Sequence, residues 1–225
     1  MASLRLNSTI PNFTATSTIG ELDYYDYVGD SWSILFSHPL DFTPVCTTEL
    51  GRIIYQFEEF RERNVKVIGL SCDDVSSHIR WIHDIKSYCL EFSGDFPYPI
   101  IADPSRELAM KLDMLDTEDT DIGLEEALTV RSLYLIDPMK KLRLSMIYPV
   151  STGRDIDEIL RVIDSLQLVD KYGIIETPVN WIPGTKILVD PTATEEEIRR
   201  IFPDSKVEST HLPSDRCYMR SIINY

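Results

Sequence analysis

Long apolar runs are missing from this chain. None approaches the roughly eighteen residues that a membrane-spanning helix requires, so no integral membrane association is expected. The opening Met1-Ala2-Ser3-Leu4-Arg5 lacks the basic and apolar regions of a secretory signal. Cysteine is scarce. Cys46, Cys72, Cys89 and Cys217 form no C-x-x-C pair and keep no metal-like spacing with histidine, which argues against a structural zinc site and leaves no metal expected. Basic residues are few as well: 22 lysines and arginines face 37 aspartates and glutamates, and the formal charge of -15 makes nucleic acid and anionic lipid poor partners. The 225 residues contain no internal repeat or low-complexity stretch, and that length buries one sizeable core plus a smaller appendage.

What the chain does contain is a thiol placed for reactivity. Trp32 leads into Ile34-Leu35-Phe36, a short apolar run that reads as an interior strand, followed by a loop from Ser37 to Phe42. A helix then starts, with Thr43 as N-cap, Pro44 at the first helical position and Glu49 opening an amphipathic run through Phe60. Cys46 therefore falls near the third helical residue. Unpaired backbone N–H groups and the positive end of the helix dipole meet its sulfur there, and both favour the thiolate.

The rest of the chain alternates strands and helices. Phe13 to Thr16 and Glu21 to Val28 read as a hairpin with Gly20 near its turn; Val65 to Ser71 is a strand, and Asp74 to Lys86 a helix capped by Asp73 or Asp74. Tyr98 to Ile101 is a short strand, Pro104 to Leu112 a helix, and Asp113 to Glu126 an exposed acidic loop. Val130 to Ile136 and Lys141 to Tyr148 flank the turn Asp137-Pro138-Met139-Lys140. Ile156, Ile159, Leu160, Ile163 and Leu166 make a helical core stripe between Asp155 and Leu168. From about Lys171 prolines punctuate short segments around one helix candidate, Thr194 to Ile201. Cys72 ends a strand at the sheet edge where sites gather in α/β folds, and Cys89 and Cys217 read as partly buried small hydrophobes.

Pro39-Leu40-Asp41-Phe42-Thr43-Pro44-Val45-Cys46 resembles the P-x-x-x-T-x-x-C signature of peroxiredoxins, and His38 to Glu49 resembles the one-cysteine subfamily. The likeness extends through Val67 to Ser71 with Asp73, Arg131, Tyr148 to Arg154, Thr177 to Trp181 and Leu212-Pro213-Ser214. The resemblance implies a thioredoxin-like α/β fold, a central mixed sheet flanked by helices, over residues 1–170, with a C-terminal extension over 171–225 that associates with a second subunit in a homodimer. It implies a cytoplasmic antioxidant enzyme without cofactor, in which Cys46 attacks hydrogen peroxide or an organic hydroperoxide and becomes a sulfenic acid. Thr43 and Arg131 supply donors to the reacting oxygens, Pro39 shields the thiolate, His38 lines the pocket, and Glu49 positions the arginine. The resolving Val-Cys-Pro of two-cysteine relatives is absent from the tail, which reads Asp215-Arg216-Cys217-Tyr218. An external thiol, from a glutathione or thioredoxin system or another source, is then expected to reduce the sulfenate, with an internal disulfide to Cys72 as the alternative.

Two side roles belong to other classes. Some one-cysteine relatives are described as phospholipases with a serine in Gly-Asp-Ser-Trp-Gly. Here that segment is Gly29-Asp30-Ser31-Trp32-Ser33, the histidine position is Tyr25 and the aspartate position is Met139, so Ser31 reads as a turn residue. A chaperone or redox-sensor role is secondary, because the pocket donors Thr43 and Arg131 are present.

Overall fold

Every residue of the strand Trp32–Ser37 is buried, as an interior strand of a mixed sheet requires. A computed structural model describes residues 4–89, 92–116, 123 and 126–225. Much of the expected acidic loop, at 117–122, 124 and 125, lies outside the described residues. The chain divides into two compact units, Met1–Ile156 and Asp157–Tyr225.

The first unit is built on a seven-stranded sheet. Its strands are β1 (Thr14–Ser17), β2 (Gly20–Asp23), β3 (Trp32–Ser37), β4 (Val65–Ser71), β5 (Ile100–Ala102), β6 (Arg131–Ile136) and β7 (Leu142–Tyr148). They lie in the order β2-β1-β5-β4-β3-β6-β7. β3 runs parallel to β4 and antiparallel to β6, with Phe36 opposite Gly69 on one side and Leu133 on the other. The helices are α1 (Tyr24–Val28), α2 (Pro44–Tyr55), α3 (Phe57–Glu62), α4 (Val75–Tyr88) and α5 (Glu107–Lys111). Ile10, Leu22, Leu35, Ile68, Leu70, Leu112 and Tyr134 are among the residues of one of its apolar clusters.

Two expectations are corrected here. The second arm of the N-terminal hairpin is strand only to Asp23, whose carboxylate accepts the Asp26 N–H and starts α1 where a strand was expected through Val28. The helix through Phe60 is two helices, because Gln56 leaves helical geometry at φ -103 and ψ 13. α2 packs closely on α4. A Cβ at Gly51 would lie 2.9 Å from Cys89 Sγ and 3.2 Å from Tyr88 Cδ1, so this close approach admits only glycine without adjustment.

The second unit holds α6 (Ile156–Tyr172), continuing one residue from the first, and α7 (Glu195–Ile201). Strands β8 (Ile175–Glu176), β9 (Ile187–Val189), β10 (Glu208–Ser209) and β11 (Arg220–Ile222) form a small antiparallel sheet in the order β10-β11-β9-β8. Strands of two or three residues carry too little periodicity to be read from sequence. Thr194 and Glu197 close a reciprocal capping box on α7. Among the described residues, no helix is long and apolar enough to cross a membrane.

Candidate active site

The turn from β3 into α2 sets the site. Thr43 takes the extended N-cap conformation, Pro44 follows at the first helical residue, and Cys46 is the third, fully buried. The Thr43 hydroxyl does not cap the helix. It donates to the Leu40 carbonyl at 2.8 Å, so the expected donor to substrate is engaged within its own loop in this state. Pro39, two residues after β3 ends, is buried on the same loop.

Arg131 opens β6, distant in sequence from Cys46 but adjacent in space. Its Nη1 donates to Cys46 Sγ at 3.3 Å and to Glu49 Oε2 at 2.7 Å, while Nε and Nη2 reach the Val150 carbonyl at 3.0 and 2.6 Å. Glu49 lies one turn beyond Cys46 on α2 and is 3% exposed. A second guanidinium completes the arrangement. Arg154 donates its backbone N–H to Glu49 Oε1 at 2.7 Å, Nε to Oε1 at 2.9 Å, and Nη2 to Oε2 at 3.0 Å. Its Nη1 holds the Ser132 carbonyl at 2.8 Å, and the group lies over the Phe36 ring. Two buried cations therefore share one carboxylate, and the surplus positive charge lies beside the sulfur. A thiolate there balances the charges.

Burial alone would raise the Glu49 pKa, but the charge and hydrogen bonds of Arg154, aided by Arg131, hold it below the ordinary value of 4.5. The folded value is depressed, so the stability gained from this ionisation is full above about pH 4.5 and is lost as pH falls through the folded value. Glu49→Gln is accordingly expected to lower the melting temperature at pH 7 and to flatten its decline on acidification. Parallel acid-limb melting curves for the two proteins would contradict this.

His38 follows β3 directly and is fully buried. Its Nε2 lies 2.8 Å from Asp41 Oδ1, and Asp41 Oδ2 lies 2.8 Å from both His78 Nδ1 and Ser77 Oγ on α4. His78 Nε2 faces the Ile101 carbonyl at 3.2 Å. Burial pushes the His38 pKa below the ordinary imidazole value, against the raising effect of Asp41. For Asp41 the penalty of burial is outweighed by the two histidine hydrogen bonds, which hold its carboxyl well below the usual carboxylate range. The His38 ring also lies 5.0 Å from the Trp81 ring, whose Nε1 donates to Thr47 Oγ1 next to Cys46. Among the described residues His38, Asp41 and His78 are the grouping whose atoms, all within 4.8 Å, have the types that ligate metals, and each already hydrogen-bonds within the network.

The structure thus joins Cys46, Arg131 and Glu49 by direct contact and places Thr43, Pro39 and His38 on the loop between them and β3. Sequence reasoning did not single out Arg154, Asp41 or His78. Arg154 closes the family-like stretch from Tyr148 and Asp41 lies inside the signature, but pairings 105 and 37 residues apart leave no local pattern.

All four cysteines are free. Burial raises the Cys72 pKa to about 11, and burial raises that of Cys89 too, so both thiols stay protonated at neutral pH. Cys217 is exposed, a correction to the expected partial burial; it lies on the loop entering β11, with its sulfur 3.8 Å from Ser209 Oγ. Ser31 Oγ donates to the Asn64 amide oxygen at 2.9 Å, Tyr25 Oη donates to the Ile10 carbonyl, and Met139 is 76% exposed. An amide oxygen cannot take a proton from the serine, so this geometry does not activate it.

The AhpC/TSA family model matches residues 6–145, and the model for the C-terminal domain of 1-Cys peroxiredoxin matches residues 165–202. Peroxiredoxin-6 of Gallus gallus is 49% identical over 226 residues, covering 98% of this chain and 97% of the relative. The structure of a cysteine-to-serine mutant of the peroxiredoxin 6 of Arenicola marina superposes with a TM-score of 0.91 at 47% identity, covering 99% of both chains. A yeast mitochondrial 1-Cys peroxiredoxin, solved to explain thiol resolution via glutathione/thioredoxin systems, gives a TM-score of 0.83 at 42% identity over 97% of this chain and 99% of its own. The fold is therefore the thioredoxin-like one of these proteins with a C-terminal domain, and the chain belongs to the AhpC/TSA family as a one-cysteine peroxiredoxin, a thiol-dependent peroxidase.

Proposed function

We propose that Cys46 is the peroxidatic nucleophile and that Arg131, Thr43 and Glu49 form its reacting shell. The single observation that carries this is the 3.3 Å contact from Arg131 Nη1 to Cys46 Sγ at a helix N-terminus. The thiolate attacks the terminal oxygen of ROOH, the O–O bond breaks, and Cys46 keeps that oxygen as a sulfenic acid. The leaving RO⁻ takes a proton to become ROH. Arg131 faces the charge that develops on the oxygens, and Thr43 joins it when its hydroxyl turns away from Leu40. Glu49 and Arg154 hold Arg131 in place, Pro39 keeps water from the sulfur, and His38 lines the pocket.

Two external thiols then return the enzyme: the sulfenic acid and 2 R′SH give the Cys46 thiol, R′S–SR′ and water. Hydrogen peroxide and organic hydroperoxides are the substrates, and a glutathione or thioredoxin system is the reductant, as for thiol resolution in the yeast mitochondrial relative. Protonated, buried Cys72 and Cys89 support an outside thiol over an internal one. We assign residues 1–170 to the peroxidase domain and 171–225 to an extension that meets a second copy in a cytoplasmic homodimer. Exposed apolar side chains fit an interface: Val179 and Ile182 in the extension, 89% and 55% exposed, and Ile147 on the outermost strand β7. Steady-state peroxide turnover with glutathione and with thioredoxin, each with its own recycling enzymes, tests the reductant. Sustained turnover with at least one is expected; a single turnover with both would overturn an external-thiol cycle through these systems.

A further inference from the structure

We propose that Asp41 is a positioning residue for the peroxidase reaction, acting through His38: its carboxylate holds that imidazole as the Nε2–H tautomer and ties the loop before Cys46 to α4. This rests on the reading of Cys46 as the nucleophile.

The hydrogen-bond partners fix the protons. An ionised carboxylate only accepts, so each imidazole nitrogen facing Asp41 carries a proton when its bond is made. That places N–H on His38 Nε2. His38 is held toward its neutral form by burial, so its Nδ1 keeps a bare lone pair. This Nδ1 is buried and has no hydrogen-bond partner among the described residues. The other tautomer would set a lone pair against the Asp41 carboxylate and leave a buried N–H without an acceptor, two penalties for one proton shift. A single carboxylate thus decides which face His38 offers: an acceptor, not a donor.

The same residue anchors the loop. Asp41 N–H donates to Asp73 Oδ2 at 3.0 Å, and Asp73 is itself held by Ser71 Oγ at 2.8 Å. Ser77 and His78 on α4 grip the Asp41 side chain from the other side. The next residue, Phe42, has φ 55, a left-handed conformation that costs a bulky side chain free energy. Such a backbone persists only where its neighbours over-determine it. Asp41 before it and Thr43 after it, bonded back to Leu40, supply that constraint. Pro39 and Thr43 ride on this loop, so loosening Asp41 also loosens them.

The test uses the full-length chain with two variants, Asp41→Ala and Asp41→Asn, and two readouts. Nitrogen-15 NMR reports the His38 tautomer, and stopped-flow fluorescence reports the rate of the first Cys46 oxidation by hydrogen peroxide, corrected for the folded fraction. Wild type is expected to show His38 as Nε2–H. Variants that lose this form are expected to oxidise about tenfold or more slowly, as misplaced groups around a reacting centre do. Asp41→Asn keeps the side-chain size should the alanine variant not fold, and offers one acceptor where the carboxylate offers two. Three results would overturn the proposal: a wild-type His38 in the Nδ1–H form, folded variants that all keep the Nε2–H form, or a folded variant that loses it yet oxidises within about twofold of wild type. Wild-type Cys46 that peroxide does not oxidise would instead sink the functional reading beneath it, a separable outcome.

Discussion

Cys46→Ser is expected to abolish rapid peroxide consumption, while serine at Cys72, Cys89 or Cys217 leaves the first oxidation within about threefold of wild type. The asymmetry follows from the surroundings of each sulfur. Cys46 has a guanidinium nitrogen at 3.3 Å and the start of a twelve-residue helix around it. A serine hydroxyl in the same place keeps its proton near neutrality and is a far weaker nucleophile toward an O–O bond. Cys72 and Cys89 are buried with raised pKa values and supply little thiolate. Cys217 is exposed, in the second unit. Serine is close to isosteric with cysteine, so the Cys46 variant should keep its near-ultraviolet spectrum. A variant that still consumes peroxide at the wild-type rate would contradict the assignment.

Arg131→Ala is expected to slow Cys46 oxidation by on the order of a hundredfold, the cost of losing one donor to a developing oxyanion. Stability should fall less than the rate. Glu49 keeps three hydrogen bonds from Arg154 after Arg131 is gone, so its buried charge is not left unpaired. Arg131→Lys should restore little, because a single ammonium cannot reach Cys46, Glu49 and the Val150 carbonyl together as the planar fork does. Stopped-flow oxidation read beside urea melts separates the two effects. Loss of rate in strict proportion to loss of stability would reduce Arg131 to a structural ion pair.

Local rules made the proposed nucleophile legible. Thr43, Pro44 and the apolar run before them specify a strand, a turn and a helix start, and the structure puts Cys46 at the third helical residue as those rules require. The same rules misled at Glu21 to Val28, where the turn at Gly20 argues for a second hairpin arm but Asp23 caps a helix. They also ran α2 and α3 together, since nothing in the side-chain pattern marks the backbone break at Gln56. The rest of the site depends on tertiary placement. Arg131 is legible only through its family likeness, because 85 residues separate it from Cys46. Arg154 and the Asp41 to His78 link exist only in the folded chain, for hydrogen bonds between distant segments leave no periodicity to read. Cys217 is exposed where partial burial is expected for a related reason: a cysteine's burial is set by what folds over it, and two-residue strands give no warning of that.

The most direct measurement is intact-protein mass spectrometry with a sulfenic-acid trap after one equivalent of hydrogen peroxide, followed by peptide mapping. The account predicts one trapped adduct on Cys46 and no disulfide. An unmodified Cys46, or a disulfide from Cys46 to Cys72 or Cys217, would contradict it.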